Sequence, residues 1–181
     1  GVTSIGDYAF YCCSSLTSVE IPDSVTEIGN NAFYECSNLT SIKLPNSVTE
    51  IGTAAFSRGS SLTSIEIPDG VTKIGSYTFS GLTSLKQIHF GKSVKYIGSC
   101  AFCSCPIENL KLNDGLKEIG YDAFSQASAK ELVIPDSVEK LYHNAISGDF
   151  DTVKIGKGLK EFTYSSFITP AKRFIVDHEN G

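Results

Sequence analysis

A repeat with a period of about 23 residues runs through this chain and constrains its fold more than any other feature. One bulky apolar residue aligns the copies: Phe10, Phe33, Phe56, Phe79, Phe102 and Phe124, continued by Ile146 and Phe167. The gaps between these residues are 23 four times, then 22, 22 and 21. A fixed period of about 20 to 29 residues is typical of a solenoid, since one unit cannot bury its apolar face without neighbours.

Two further apolar columns keep the same register, which indicates repetition and not chance. The first column opens each unit, at Val2, Val25, Val48, Val71, Val94, Leu116, Val138 and Leu159. The second follows three residues later, at Ile5, Ile28, Ile51, Ile74, Ile97 and Ile119, continued by Leu141 and Phe162. No linker interrupts the columns, so residues 1–181 are predicted to form one domain of about eight units of 21–23 residues.

One segment of each unit has the alternation of a half-buried strand. In the first unit, residues 16–21 place Val19 and Ile21 on one face and Ser18 and Glu20 on the other. The pattern recurs in every unit, and a proline closes it at Pro22, Pro45, Pro68 and Pro135. Since proline lacks the N–H that a sheet ladder needs, these residues are expected to end the strands. The repeat therefore predicts a parallel β-sheet along one face.

The rest of each unit contains a second extended piece, a glycine and a polar-to-apolar segment. Residues 25–28 are the extended piece of the second unit, and the glycine recurs as Gly6, Gly29, Gly52, Gly75, Gly98 and Gly120. We interpret the glycine as a position that needs positive φ or close backbone approach. Residues 30–36 then predict one helical or 3₁₀ turn. The predicted fold class is an α/β repeat solenoid, with short second strands and helical or 3₁₀ turns opposite the sheet.

Charge and composition exclude several classes of function. The net charge is −5 and the two signs are interspersed, which argues against a basic nucleic-acid surface. No apolar run reaches the roughly 18 residues of a membrane span, so no membrane insertion is expected. The chain begins at Gly1 inside a repeat, without a polar cap before Val2. We therefore expect a fragment of a longer protein, either monomeric or associating end to end.

The third unit carries a family signature in unbroken form. It reads Val-Thr-Glu-Ile-Gly over residues 48–52, Ala55-Phe56, and Leu-Thr-Ser-Ile-Glu-Ile-Pro over residues 62–68. This pattern resembles the BspA-type (Treponema-type) leucine-rich repeat. The resemblance implies a right-handed leucine-rich-repeat solenoid on a secreted or cell-surface protein, associated with adhesion to host matrix proteins or to other cells. It transfers no catalytic residues to this chain.

The six cysteines could serve as packing residues, as a disulfide or as metal ligands. Cys13, Cys36 and Cys105 share a column that other units fill with Gly59, Leu82 and Ala127. That column favours a small apolar filler over a Cys13–Cys36 disulfide between adjacent coils. Cys100 and Cys103 join Cys105 in a C-x-x-C-x-C cluster, but no nearby histidine completes four ligands for a soft metal. No metal and no cofactor is therefore predicted.

No nucleophile, base and orienting group are assembled by the repeat register, so the chain is predicted not to be an enzyme. His89, His143 and His178 are expected to be surface histidines. Tyr11 and Tyr34 occupy equivalent positions in adjacent units, with Tyr8 and Tyr77 nearby. This aromatic patch is expected either to pack locally or to contact a protein or glycan.

The outward columns of the strands form the candidate ligand face. Its residues are Glu20, Lys43, Glu66, His89 and Lys111 in one column, and Gln87 and Asn109 in the other. Repeat proteins commonly bind along such extended faces. The main hypothesis is a non-enzymatic extracellular or cell-surface module that binds a protein, matrix or glycan ligand through this face. The alternative is an architectural spacer, or a recognition module attached to another domain of a larger surface protein.

Overall fold

The chain winds into a parallel β-solenoid with the leucine-rich-repeat fold, in about eight turns of some 22 residues. The computed structural model describes residues 1–162, 165–167 and 169–176, with the side chain of Asn109 left out. From the third turn onward each turn contributes one strand to a strand face, and all eight turns contribute a two-residue strand to a second-strand face. The strand face contains β4 (Ser64–Glu66), β6 (Gln87–His89), β8 (Asn109–Lys111), β10 (Ser128–Ile134), β12 (Asp149–Ile155) and β14 (Arg173–Val176). The second-strand face contains β1 (Ser4–Ile5), β2 (Glu27–Ile28), β3 (Glu50–Ile51), β5 (Lys73–Ile74), β7 (Tyr96–Ile97), β9 (Glu118–Ile119), β11 (Lys140–Leu141) and β13 (Glu161–Phe162).

Every strand pairing among the described residues is parallel and joins neighbouring turns of the solenoid. On the strand face, β4 pairs with β6, and β8, β10, β12 and β14 form a second sheet in that order. The second-strand face is divided into β1-β2-β3 and β5-β7-β9-β11-β13. The register places equivalent repeat positions side by side, as in Ile65 beside Ile88 and Ile74 beside Ile97. The sequence columns are therefore physical columns along the solenoid.

A ladder of phenylalanine rings forms the centre of the core. Phe10, Phe33, Phe56, Phe79, Phe102 and Phe124 stack in order, with ring centroids 5.0–5.7 Å apart. The rings from Phe33 to Phe124 are almost completely buried, and Ile146 continues the buried column. The spacing follows from the separation of about 4.8 Å between adjacent strands, which brings each ring onto its neighbour.

The predicted helical or 3₁₀ turns are wrong: the described residues contain no helix, so the solenoid is all-β and not α/β. In the segment after Gly29, the N–H groups of Asn31, Phe33 and Glu35 donate to carbonyl oxygens of the next coil at 2.7–2.9 Å. Asn31 and Glu35 also have positive φ, at 52° and 55°. An α- or 3₁₀-helix needs those N–H groups within its own segment and right-handed φ throughout. The polar-to-apolar pattern instead marks a chain of β-turns, here called the turn face.

The repeated glycine is explained by close backbone approach and not by positive φ. A Cβ placed on Gly52 would lie 2.6 Å from the backbone nitrogen of Asn30 and 2.6 Å from the carbonyl carbon of Gly29. Positive φ among the described glycines occurs at Gly81, which lies outside this column. Gly29, Gly98 and Gly120 show the same close approach, so the coils pack backbone to backbone at these positions and leave no room for a side chain.

The strand prediction holds for the burial pattern but fails for the hydrogen-bonded strand in the first two units. Ser18 and Glu20 are exposed while Val19 and Ile21 are partly buried, as the alternation predicts. Residues 16–22 and 39–45 nevertheless form no strand, and the Thr40 N–H reaches the Thr17 oxygen at 3.3 Å.

The shortening of the later units lies in the connection between the repeat phenylalanine and the strand. That connection spans six residues from Phe79 to Leu85, five from Phe124 to Ala129 and four from Ile146 to Phe150. β10 and β12 follow shortened connections and each contain seven residues, whereas β8, after an equally short connection from Phe102 to Ile107, contains three. Residues that form a turn in the early units thus join the sheet in β10 and β12.

Ion pairs cross between coils beside the second-strand face. Glu139 is the clearest case, because its two carboxylate oxygens accept hydrogen bonds from Lys117 and Lys160, each at 2.9 Å. These two hydrogen bonds lower the pKa of Glu139 from 4.5 to about 2. One carboxylate therefore connects three successive coils.

The Glu139 bridge predicts a specific acid sensitivity. Since the folded-state pKa is depressed, the bridge stabilises the fold above about pH 4.5 and loses this contribution as pH falls toward about 2. Glu139→Gln is expected to flatten the pH dependence of the unfolding midpoint in that window. The measurement is thermal unfolding followed by circular dichroism at stepped pH. Glu27→Gln, on an exposed residue of the same face, is the control and should leave the slope unchanged.

Candidate functional site

The strand face brings the candidate ligand residues into two physical columns. Glu66 lies beside His89, and Gln87 lies beside Ser64. Lys111 of β8 lies beside Val133 of β10. Among the candidates with described side chains, Glu66, Gln87, His89 and Lys111 are exposed on strands, and Glu20 and Lys43 are exposed in the first two units. Asn109 pairs with Glu131 through the backbone, and its side chain lies outside the described part of the chain.

Charges on this face differ in whether a neighbour compensates them. Lys154 binds Glu131 at 2.7 Å across adjacent strands, and Lys172 binds Asp151 at 2.6 Å. Lys111 is exposed and forms no salt bridge with any residue of the described ranges. An ammonium group without a local carboxylate is available to a carboxylate from outside. Lys43 of the same column is likewise exposed and without a salt bridge in the described ranges, so both lysines are available to an external ligand.

Two adjoining grooves lie at the carboxyl ends of the strands, and Lys111 lines both. The first has a volume of about 510 Å³ and includes His89 and Phe90 in its wall. The second has a volume of about 640 Å³ and includes Val133 and Lys154. Leu112 and Asp114 are shared with Lys111, so the grooves meet at this strand end. The face thus contains a concave region and not a flat polar surface alone.

Several residues of this region were not among the sequence candidates. Val133 and Ile175 replace the charged residues of their column, and both are half-buried beside the larger groove. The change from charge to aliphatic side chains was visible in the sequence. The groove itself was not predictable from the sequence. Its wall also includes the turn residues Asp114 and Asp136, and the sequence did not predict how the turns are oriented.

The rim of the smaller groove is held by contacts between turns. The backbone N–H of Lys92 donates to Asp69 at 3.0 Å, and its ammonium group lies 3.3 Å from the same carboxylate. The backbone hydrogen bond, followed by the one from the side chain, lowers the pKa of Asp69. Lys92 is therefore compensated inside the protein, in contrast to Lys111.

The cysteine column is a packing column in two of its three positions. Cys36 and Cys105 are buried, and each thiol donates to a phenylalanine carbonyl of the preceding coil, Phe10 and Phe79, at 3.1 Å. Burial raises the pKa of Cys36 to about 11 and that of Cys105 to about 12, which disfavours the reactive thiolate. Cys13 is exposed, contrary to the packing interpretation, and all six cysteines are unpaired thiols.

The aromatic patch on the turn face is a stack in which edges face outward. Tyr11 and Tyr34 lie parallel with centroids 5.1 Å apart, and Tyr8 meets Tyr11 edge to face at 5.5 Å. The Arg58 guanidinium covers the far side of Tyr34 at 5.7 Å and binds Glu35 at 3.0 Å. The stacking supports the local-packing explanation of this patch.

The described ranges contain no group of three histidine, cysteine, aspartate or glutamate side chains placed to hold a metal ion. His89 and His143 are exposed, and His178 lies outside the described residues. No helix in this part of the chain is long and apolar enough to cross a membrane.

Comparison with known proteins gives a consistent result. The family model of the BspA type leucine rich repeat region matches the chain in six copies, over residues 3–126 and 55–172. A search of the curated proteins finds no match.

Three solved structures share the fold. The leucine-rich repeat protein of T. pallidum has a TM-score of 0.57 and 25% identity, covering 70% of this chain and 67% of its own. A leucine-rich repeat protein of Bacteroides ovatus has a TM-score of 0.53 and 24% identity, covering 96% of this chain and 55% of its own. A leucine-rich cell surface protein of Faecalibacterium prausnitzii has a TM-score of 0.55 and 24% identity, covering 96% and 61%. The chain therefore spans 55–67% of the length of these structures.

Proposed function

The chain belongs to the BspA-type leucine-rich repeat family, and from this premise we propose that it is a non-enzymatic module that binds a protein partner through its strand face. Repeat domains of this family typically mediate protein–protein interaction and act as binding scaffolds. Family members are typically associated with the cell surface, which supports an extracellular or cell-surface location and a role in adhesion to matrix or host proteins.

The observation that carries the proposal is the meeting of the two grooves at Lys111. The grooves supply apolar wall on either side, with Phe90 in one and Val133 in the other. Lys111 adds a cation without a salt bridge to any described residue. Interfaces obtain most of their binding energy from a few desolvated anchors in such concavities, while charges at the rim provide orientation and speed of association. A partner segment with an aliphatic side chain and a carboxylate matches this arrangement.

The test compares one charge reversal on each face of the solenoid. The 181-residue chain is screened against host matrix proteins, mucins and glycans, and the affinity of each hit is measured for Lys111→Glu and Lys73→Glu. Lys73 is an exposed lysine of β5 on the second-strand face, so it matches the change in charge without touching the grooves. Lys111→Glu is expected to weaken binding about tenfold or more, equivalent to about 1.4 kcal/mol. Lys73→Glu is expected to leave binding within about twofold of the unchanged chain.

Three outcomes would count against the proposal. Equal effects of the two variants would indicate general electrostatic attraction without a site on the strand face. Selective loss in Lys73→Glu would move the binding surface to the second-strand face. Absence of any partner across the screen would favour the alternative that the solenoid is an architectural spacer or serves another domain of a larger surface protein.

A further inference from the structure

Cys100 and Cys103 are the first and last residues of one turn on the turn face. The Cys103 N–H donates to the Cys100 carbonyl oxygen at 3.3 Å, which closes a four-residue turn. The ends of such a turn lie less than about 7 Å apart between Cα atoms, and a disulfide spans about 4.4–6.8 Å. The backbone therefore already holds the two residues at a separation that a disulfide can bridge.

Side chains at these two turn positions can meet: in the first unit the equivalent residues, Tyr8 and Tyr11, lie edge to face with ring centroids 5.5 Å apart. The Cys103 thiol donates to the Asp122 carbonyl oxygen at 3.1 Å. Both residues are half-buried, so a small reagent can reach this turn. Cys36 and Cys105 differ in each respect, since both are buried and each thiol is held by a carbonyl of the preceding coil.

We propose that Cys100 and Cys103 form a reversible thiol–disulfide site whose co-reactant is a low-molecular-weight disulfide. The Cys100 thiolate attacks one sulfur of the co-reactant, forming a mixed disulfide and releasing one thiolate. The Cys103 thiolate then attacks the Cys100 sulfur, forming the internal disulfide and releasing the second thiolate. The two cysteines lose two electrons and two protons in total, and the co-reactant is reduced to two thiols.

The surroundings of the pair assign the order of the two steps. The Cys103 thiol is held by the Asp122 carbonyl oxygen at 3.1 Å, and burial raises its pKa. Cys103 is therefore the slower thiol toward an external reagent and fits the second, internal attack. The reaction removes two thiol groups from this half-buried turn, so oxidation changes its polar surface. An oxidising extracellular compartment would favour the closed form.

The experiment uses the full chain and oxidised glutathione as the probe. After incubation without denaturant, remaining thiols are blocked by alkylation, and the protein is digested and sequenced by tandem mass spectrometry. The expected product is a link between Cys100 and Cys103 without glutathione, and reduction by dithiothreitol should restore both thiols. In Cys103→Ser the second step is removed, so Cys100 should retain one glutathione. Cys105→Ala, which introduces the residue found at Ala127 in another unit, should leave the link intact.

Other products overturn the inference. Glutathione that persists on Cys100 of the unchanged chain would show that the turn cannot close. Thiols at both positions that resist the reagent, while the exposed Cys12 and Cys13 react, would show that the site is inaccessible. A link from either residue to Cys105, or a disulfide between two chains, would assign the chemistry to other sulfurs. None of these readouts depends on the proposed binding function.

Discussion

Phe56→Ala is expected to lower the free energy of unfolding by about 3–5 kcal/mol, because it opens a cavity in the middle of the ring ladder. Phe56 is 2% exposed and lies between Phe33, at 5.3 Å, and Phe79, at 5.7 Å. Removing the ring leaves two facing rings without their contact, and the backbone ladders on both faces prevent the coils from closing the gap. Urea denaturation followed by circular dichroism measures the effect.

Phe167→Ala is the matched change in the same repeat column. Phe167 is only partly buried, and its ring meets Phe174 edge to face at 5.9 Å, with no parallel ring stack to another residue of the described ranges. Removing the Phe167 ring loses less buried apolar surface, so the decrease in the free energy of unfolding should be clearly smaller than for Phe56→Ala. Equal losses at the two positions would show that the column contributes uniformly and that the buried stack is not the main source of stability.

Gly52→Ala is expected to destabilise the chain by about 3 kcal/mol or more, although it adds a single methyl group. Its Cβ would lie 2.6 Å from backbone atoms of Asn30 and Gly29, and these atoms cannot move aside as the end of a flexible side chain could. Relief requires the two coils to separate, which strains the hydrogen bond from the Gly52 N–H to the Ile28 oxygen, now 2.8 Å. The unfolding midpoint in urea and the melting temperature measure the loss.

Gly6→Ala supplies the control for the glycine column. Gly6 occupies the equivalent position in the first unit, and a Cβ there would meet nothing within 4 Å. Its φ is not positive, so alanine should be neutral, or stabilising by up to about 1 kcal/mol through the unfolded state. If Gly52→Ala is also neutral, the close approach of the backbones does not set the spacing of the coils.

The sequence predicted the fold well because a tandem repeat multiplies a weak signal. One apolar column would not identify a core, but three columns in a common register do, and the Phe33-to-Phe124 stack lies where they place it. The alternation around Ile65 and Ile88 likewise placed Glu66 and His89 side by side on the outer surface. The proposed role of these exposed residues as ligand contacts remains a prediction.

The turn face was mispredicted because local sequence does not show where backbone N–H groups find their acceptors. Residues 30–36 carry a pattern that fits a short helical turn, and an isolated segment would have to bond within itself. In the solenoid, Asn31 and Phe33 donate to the next coil instead. A neighbour with the same conformation offers acceptors at the right spacing, and this tertiary effect outweighs the local preference.

The sequence alone determined the number of turns, the parallel register, the buried phenylalanine column and the outward strand columns, because each follows from a fixed period and the alternation of a strand. Only the tertiary structure decided the all-β turn face, the close approach that requires Gly52, the grooves that meet at Lys111 and the turn that joins Cys100 to Cys103. These features depend on distances between coils and on the orientation of turns. Such distances arise when neighbouring coils pack, and no single repeat encodes them.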